Sequence, residues 1–353
     1  MSNKQVIISA FGTPQVINVI NAPTLPEPKR GEVRIKVEAS SVCFSDVIIR
    51  KGIYPNLNVT FPLTLGYDLV GVVDKLGEGV TNITVGQRVA DLTQTGSNAE
   101  YTCRPSDRLV PVPATVDPAE AETMVLTYMT AYQMYRHIAN VKSGQTVLIH
   151  GGAGAVGTAL LDIGRHLGLN MVSTASSQKL DLLRAYGAIA IDYRAANYTQ
   201  QLRSASSTGY DAVFDGVGFQ SFLRSFRLLK RGGVLVNYGA ASSASSVKQR
   251  SLITSIFGPV LFFVIDNTLL LLNVLPNGRS VKSYEISTLR QEQPDLFVTD
   301  LKQLFELLAS GKIKPVISER LSLDDAVRGH ELIERGNVRG RLVFVTNQSK
   351  TIG

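Results

Sequence analysis

Thr146-Val147-Leu148-Ile149-His150, Gly151-Gly152-Ala153-Gly154-Ala155-Val156-Gly157 and Thr158-Ala159-Leu160-Leu161-Asp162-Ile163-Gly164-Arg165-His166-Leu167-Gly168 follow one another without a break. The first run, short and apolar with branched residues, predicts a buried strand. The glycines predict a turn, and the apolar-periodic remainder predicts a helix ended at Gly168. Gly152, Gly154 and Gly157 form G-x-G-x-x-G. Each glycine serves separately: a tight bend, room for a pyrophosphate beside the backbone, and close packing of helix on strand. The uncapped N–H groups and positive dipole end of the helix suit phosphates. A glycine-rich loop alone says little, but this one follows a strand and opens a helix, the context a dinucleotide site requires.

Outward from this stretch, strands and helices alternate. Met171-Val172-Ser173-Thr174 reads as a second strand, and residues 179–186 as a helix stopped by Gly187. Further strands are expected at 188–191, 210–215 and 233–237, giving a doubly wound parallel sheet with its ligand at the carboxyl ends of the strands. Before the glycine turn, residues 5–110 carry short alternating runs such as Glu32-Val33-Arg34-Ile35-Lys36-Val37-Glu38, punctuated by turns. They predict a compact antiparallel, barrel-like β domain. Residues 119–139 are helical in composition. Helices are also expected at 301–308 and at 323–334, the latter opened by Ser322 and Asp324-Asp325, and a closing strand at 340–345.

The chain has 353 residues, 44% hydrophobic and 18% charged, which suits a globular protein of two domains. Its net charge of +7 is scattered, with no basic arm, so no nucleic-acid partner is expected. Two cysteines, Cys43 and Cys103, exclude a disulfide framework and a four-cysteine zinc lobe. Met1-Ser2-Asn3-Lys4-Gln5-Val6 lacks the apolar core of a secretory signal, and a cytoplasmic location is expected.

Several stretches together resemble the medium-chain dehydrogenase/reductase superfamily over nearly the whole chain. They are Val42-Cys43-Phe44-Ser45-Asp46-Val47-Ile48-Ile49-Arg50-Lys51-Gly52-Ile53-Tyr54-Pro55, Gly66-Tyr67-Asp68-Leu69-Val70-Gly71-Val72-Val73, Met129-Thr130-Ala131-Tyr132 and Gly151 to Gly157. Lys312-Ile313-Lys314-Pro315-Val316 and Gly340-Arg341-Leu342-Val343 extend the set to the C-terminal end. Within the superfamily it is most similar to the zinc-free quinone oxidoreductase (zeta-crystallin-like) and enone reductase branch. The resemblance implies an α/β fold. A GroES-like β-barrel catalytic domain would take 1–123 and 299–353. A Rossmann dinucleotide-binding domain would take 124–298, with an apolar insertion around 251–275. It also implies a homodimer.

Zinc alcohol dehydrogenases of the superfamily carry a catalytic cysteine, a His-Glu pair after a glycine, a further ligand and four clustered cysteines. Cys43 stands at the first position, Tyr67-Asp68 replaces the His-Glu pair, and the cluster is missing. One thiol, a tyrosine and a carboxylate make a poor set for tetrahedral zinc. His137, His150, His166 and His330 show no H-x-x-x-H spacing and read as structural. No metal is expected, and Cys43 reads as a small pocket-lining residue. Without a Lewis acid, reduction of an already activated quinone or α,β-unsaturated carbonyl remains feasible. Tyr54 matches the tyrosine that enoyl reductases of the superfamily use near the substrate, and a phenol could donate a proton there; packing in the barrel wall is an equal alternative. Asp46 and Cys43 match positions beside the nicotinamide, Asp46 also suiting a helix cap. Thr130 matches the nicotinamide end.

For the cofactor, NAD-specific folds place an acid about 20 residues past the glycines. Here Ser173-Thr174-Ala175-Ser176-Ser177-Gln178-Lys179 offers none before Asp181. Hydroxyls and a lysine welcome a 2′-phosphate, and Lys179 and Tyr193 match family positions around it, with Ser176 or Ser177 nearby. NADPH is therefore expected, held by Gly152, Gly154, Ala155, Val156 and Gly157. Gly218, Tyr238 and Gly239 would border the ribose and nicotinamide. The apolar run from Ser251 to Leu275 approaches the ~20 residues of a membrane span but is interrupted by Asp266-Asn267-Thr268. It reads as a lid or dimer surface walling a hydrophobic substrate pocket, with peripheral membrane contact as a lesser reading. Ser283-Tyr284-Glu285-Ile286-Ser287 is expected as the sheet's edge strand. The expected activity is NADPH-dependent, zinc-independent reduction of a quinone or enone in a hydrophobic small molecule. The alternatives are a zinc-dependent alcohol dehydrogenase using Cys43 and a low-turnover NADPH-binding protein with membrane or RNA contacts.

Overall fold

A computed structural model describes residues 1–54, 57–239 and 272–346. The chain divides into two compact units, Met1–Leu126 with Val298–Gly353, and Thr127–Phe297.

The second unit is built on six parallel strands. Their order across the sheet is Ile189–Asp192, Asn170–Ala175, Thr146–Ile149, Tyr210–Asp215, Leu229–Asn237 and Ser280–Ser283. The chain steps outward in one direction from Thr146–Ile149 and then resumes on its other side with Tyr210–Asp215. This is the switch point where doubly wound sheets bind ligands. Val147, Leu148 and Ile149 are all fully buried, as a strand covered on both faces requires. The helices Tyr198–Ala205 and Phe219–Leu228 contribute Leu202, Phe222 and Phe226 to a core with Val172, Tyr210 and Leu235.

The edge strand is Ser280–Ser283, three residues earlier than expected. Glu285 instead precedes the helix Ile286–Glu292 as its cap, so the residues from Ile286 onward turn into a helix. The apolar stretch from Ser251 lies outside the described residues, apart from the short turn Leu272–Val274 and Leu275. Among the described residues no helix is long and apolar enough to cross a membrane.

The first unit is a largely antiparallel β structure. Its long strand Glu32–Val42 pairs with Asp68–Leu76, with Tyr101–Pro105 and with the C-terminal strand Arg341–Val345. Val33, Ile35 and Val37 alternate inward and meet Leu69, Val73, Val89 and Leu109. Arg341–Val345 runs parallel to Ile317–Leu321, and a separate small sheet joins Asn3–Ile8, Ile17–Ala22 and Leu63–Thr64. The helix Ala326–Glu334 follows a turn in which Ser322 and Asp325 cap each other reciprocally.

Candidate functional site

In the parallel-sheet unit the chain leaves Ile149 through the glycine turn into the helix Ala155–His166, and Gly168 follows that helix at φ +69°. Gly151 has φ +66°, a left-handed bend that an L side chain resists. A Cβ on Gly152 would strike the Ser173 hydroxyl of the neighbouring strand. One on Gly157 would strike the Gly151 carbonyl oxygen and come within 2.6 Å of the Gly152 Cα. Gly154 is different. It is exposed, and a Cβ there would meet only the Gly151 oxygen at 3.4 Å. The helix start carries no side-chain cap and no acid in its first turn. Its uncapped N–H groups beside an open glycine surface fit a pyrophosphate.

A buried network underlies the turn. The Gly151 N–H donates to Thr174 Oγ1 at 3.2 Å and the Gly152 N–H to the Thr174 carbonyl at 2.9 Å. His150 Nε2 bonds Ser225 Oγ at 3.0 Å, and its Nδ1 bonds the Tyr198 hydroxyl at 3.2 Å. Ser225 in turn donates to Asp215 at 2.7 Å. Burial lowers the His150 pKa, the neighbouring Asp215 only partly opposing it, so the ring is held neutral. His150 is thus satisfied by hydroxyls under the turn, while His137 and His166 are exposed.

At the end of the second strand, Ser176 is half-buried, Ser177 exposed and Lys179 half-buried. The Lys179 N–H donates to the Ser176 carbonyl at 2.9 Å. Ala175 lies opposite Asp192 of the third strand, and the Tyr193 N–H donates to the Ala175 carbonyl at 3.2 Å. The structure therefore brings Ser176, Lys179 and Tyr193 to adjacent strand ends. Sequence reasoning missed Arg194, whose guanidinium lies 5.4 Å from the centre of the exposed Tyr193 ring. Two cations, hydroxyls and a phenol there fit a 2′-phosphate better than a bare ribose diol. Asp192, the nearby carboxylate, caps its own turn by accepting the Arg194 N–H at 2.9 Å.

The later strand ends carry the remaining candidates. Asp215 is buried, accepting from the Val217 N–H at 3.0 Å and from Ser221 Oγ at 2.8 Å. Gly218 caps the helix Phe219–Leu228 at φ +121°. The Tyr238 ring covers Gly216, where a Cβ would come within 2.9 Å of it, and burial raises the Tyr238 pKa. The Gly239 N–H donates to Asn237 Oδ1 at 3.3 Å. Thr130 is buried in the helix Met129–Gln133.

Cys43, Asp46 and Tyr54 belong to the barrel unit. Cys43 precedes the helix Phe44–Arg50, and Asp46 accepts both its N–H, at 2.9 Å, and its thiol, at 3.1 Å. The other Asp46 oxygen accepts the Gly66 N–H at 3.0 Å. Burial pushes the Asp46 pKa up to about 6 against these hydrogen bonds. Burial and the Asp46 charge push the Cys43 thiol well up. Tyr54, half-buried, shares a 2.6 Å hydrogen bond with the hydroxyl of buried Tyr67. Asp68 accepts from Ser41 Oγ at 2.6 Å and pairs with Arg341, which also reaches Glu122 at 2.9 Å.

Zinc does not fit this donor set. The Cys43 thiol is engaged with Asp46, Asp68 is committed to Arg341, and Tyr67 presents a phenol to another phenol. A zinc ligand must be a thiolate, a neutral imidazole or a free carboxylate. Among the described residues no group of three or more His, Cys, Asp or Glu is arranged to hold a metal ion.

Two family models match the chain. "Alcohol dehydrogenase GroES-like domain" matches residues 29–114, and "Zinc-binding dehydrogenase" matches residues 186–344. The chain is 28% identical to a synaptic vesicle membrane protein VAT-1 homolog of Danio rerio over 352 residues, covering 98% of this chain and 71% of that protein. It is 28% identical to a quinone oxidoreductase of Sus scrofa over 355 residues, covering 98% of this chain and 100% of the relative. Among solved structures, a mycobacterial protein complexed with NADPH superposes with a TM-score of 0.80 at 28% identity, covering 97% of this chain and 99% of that one.

Proposed function

Since the chain belongs to the medium-chain dehydrogenase/reductase superfamily, in its quinone oxidoreductase branch, we propose that it is an NADPH-dependent, zinc-independent reductase of quinones or activated carbon–carbon double bonds in a hydrophobic small molecule. One observation carries the reading: where zinc relatives place metal ligands, this chain places a phenol joined to the Tyr54 phenol. The uncapped helix start behind Gly154 would hold the pyrophosphate, and Ser176, Lys179, Tyr193 and Arg194 the 2′-phosphate. When bound, NADPH supplies a hydride, two electrons with a proton, to an electron-poor carbon.

The residues of the chain do the rest. Negative charge gathers on the acceptor oxygen as the carbon is reduced, and Tyr54 holds a proton at Oη to meet it. Hydride plus proton completes a two-electron reduction, giving a hydroquinone or a saturated carbonyl. Asp46 does not serve as the acid here, because its oxygens are occupied by the backbone N–H groups of Cys43 and Gly66. It fixes the turn that carries Tyr67.

The test is a screen of NADPH and NADH oxidation over quinones, enones, enoyl thioesters and aldehydes, with metal analysis of the same protein. NADPH-linked turnover of a quinone or enone without bound zinc is expected. Stoichiometric zinc with alcohol or aldehyde turnover would overturn the reading. Tyr54→Phe is expected to lower kcat about a hundredfold on the best acceptor.

A second reading is favoured by the likeness to a relative named for the synaptic vesicle membrane. In it the chain binds NADPH with little turnover and associates with lipid surfaces. Retention on vesicles, with no acceptor reduced across the screen, would establish it over the first.

A further inference from the structure

Tyr67 is almost wholly enclosed, 1% exposed, whereas Tyr54 is only half-buried. Their hydroxyl oxygens are 2.6 Å apart, with the rings tilted by 52° and their centroids 6.0 Å apart. The geometry points to Tyr67 as a positioning residue that acts through Tyr54: we propose that its hydroxyl donates to the Tyr54 oxygen while that phenol gives up its proton. This inference rests on the reductase reading above.

Three observations support it. The segment carrying Tyr67 is fastened at each residue. The Gly66 N–H donates to Asp46 at 3.0 Å, and the Gly66 carbonyl accepts Thr93 Oγ1 at 2.8 Å. The Tyr67 carbonyl accepts the N–H groups of Thr93 and Gln94 at 2.8 and 3.0 Å, and Asp68 is locked to Arg341 and Ser41. Gly66 is at φ +112°, where a Cβ would strike Ser97 Oγ and the Asn98 nitrogen, so the bend tolerates no substitution. Such fastening lets the Tyr67 ring hold a hydroxyl in place at small entropic loss.

The second observation is the asymmetry of burial. Tyr54 is the member of the pair that meets its surroundings, and Tyr67 stands behind it. The third is chemical direction. A phenol oxygen losing its proton becomes a stronger acceptor, and hydrogen bonds to charged oxygens are roughly twice as strong as neutral ones. The Tyr67–Tyr54 bond therefore strengthens as proton transfer proceeds, which selectively stabilises the transition state. The bookkeeping closes simply. The Tyr54 O–H bond breaks, its proton bonds to the acceptor oxygen, Tyr67 keeps its own proton while donating, and water later reprotonates Tyr54.

The experiment compares wild type, Tyr67→Phe, Tyr54→Phe and the double variant on the best acceptor, with pH–rate profiles, NADPH affinity and thermal melts. Tyr67→Phe is expected to lower kcat about tenfold and to move the alkaline limb of the profile upward, with NADPH affinity unchanged. In the Tyr54→Phe background the same change should have no further effect. Equal losses in both backgrounds, with the alkaline limb in place, would show that Tyr67 only packs the barrel, and the inference would fail while the reductase reading stood. Full activity of Tyr54→Phe would remove the donor, and the inference would fall with it, while the NADPH-linked turnover itself would still support a reductase. A proton inventory of the wild-type enzyme in mixed light and heavy water needs no Tyr67 variant. It should bow, because two phenolic hydrogens change their bonding together, and a straight line would overturn the inference.

Discussion

The glycine turn at 151–157 and the bend at 66–68 are both held by neighbours that forbid a side chain, yet they offer a ligand opposite things. At the first, the backbone itself is the binding surface. Gly154 is left open, the helix start is uncapped, and the side chains beneath it, His150, Thr174 and Ser225, serve only to fix the turn. At the second, backbone groups are consumed in fastening the chain, and what is offered is a pair of phenol hydroxyls. A site made from backbone announces itself by spacing within a few residues. A site made from side chains depends on who packs against whom.

On that contrast, side-chain changes should dominate stability in the barrel, and small backbone changes should dominate binding in the nucleotide unit. The largest expected effect is Arg341→Met. It leaves Asp68 and Glu122 buried without their cation, and about 3–5 kcal/mol of stability should be lost in urea unfolding.

Next comes pH. Burial, helped by the Arg50 charge, lowers the His330 pKa to about 3. A depressed base contributes stability that is present above the ordinary imidazole value of about 6.5 and is lost as pH falls toward about 3. His330→Leu should flatten the decline in unfolding free energy over that window by a few kcal/mol. Asp46, raised to about 6 by burial, has the opposite sign, its contribution lost as pH rises toward about 6. An Asp46→Asn variant should remove that rise-dependent loss. Acid titrations of both variants separate the two.

Gly157→Ala forces a Cβ against the Gly151 carbonyl oxygen and the Gly152 Cα. About 1–3 kcal/mol of strain should appear, with weakened NADPH binding in calorimetry. The smallest effect is Lys179→Ala, expected to reduce the preference for NADPH over NADH about tenfold, near 1.4 kcal/mol, with NADH affinity unchanged. An unaltered ratio would move the 2′-phosphate contact to Arg194.

How much of this was legible in the sequence follows the same division. The glycine turn, the end of its helix at Gly168 and the helix opening at Ser322 were readable because each depends on residues within a few positions. The parallel strands were readable as apolar runs, since burial on both faces leaves no polar alternation. The edge strand was misplaced by three residues because Ser280–Ser283 buries only Val281 and so lacks that signature. Tyr54 was singled out through resemblance, but its hydrogen-bond partner lies 13 residues away, beyond the reach of a local spacing pattern. Arg341 meets Asp68 and Glu122 from 273 and 219 residues away, and no local pattern could have joined them.

That last separation bears on how the protein is made. The strand Arg341–Val345 pairs with Glu32–Val42, so the first-made strand of that sheet lacks this neighbour until residues 341–345 have been synthesised. A nascent chain therefore exposes the edge of Glu32–Val42, and leaves Asp68 and Glu122 without a counter-ion, throughout synthesis of the nucleotide unit. All six described strands of the nucleotide sheet are made before Arg341–Val345 can join its own.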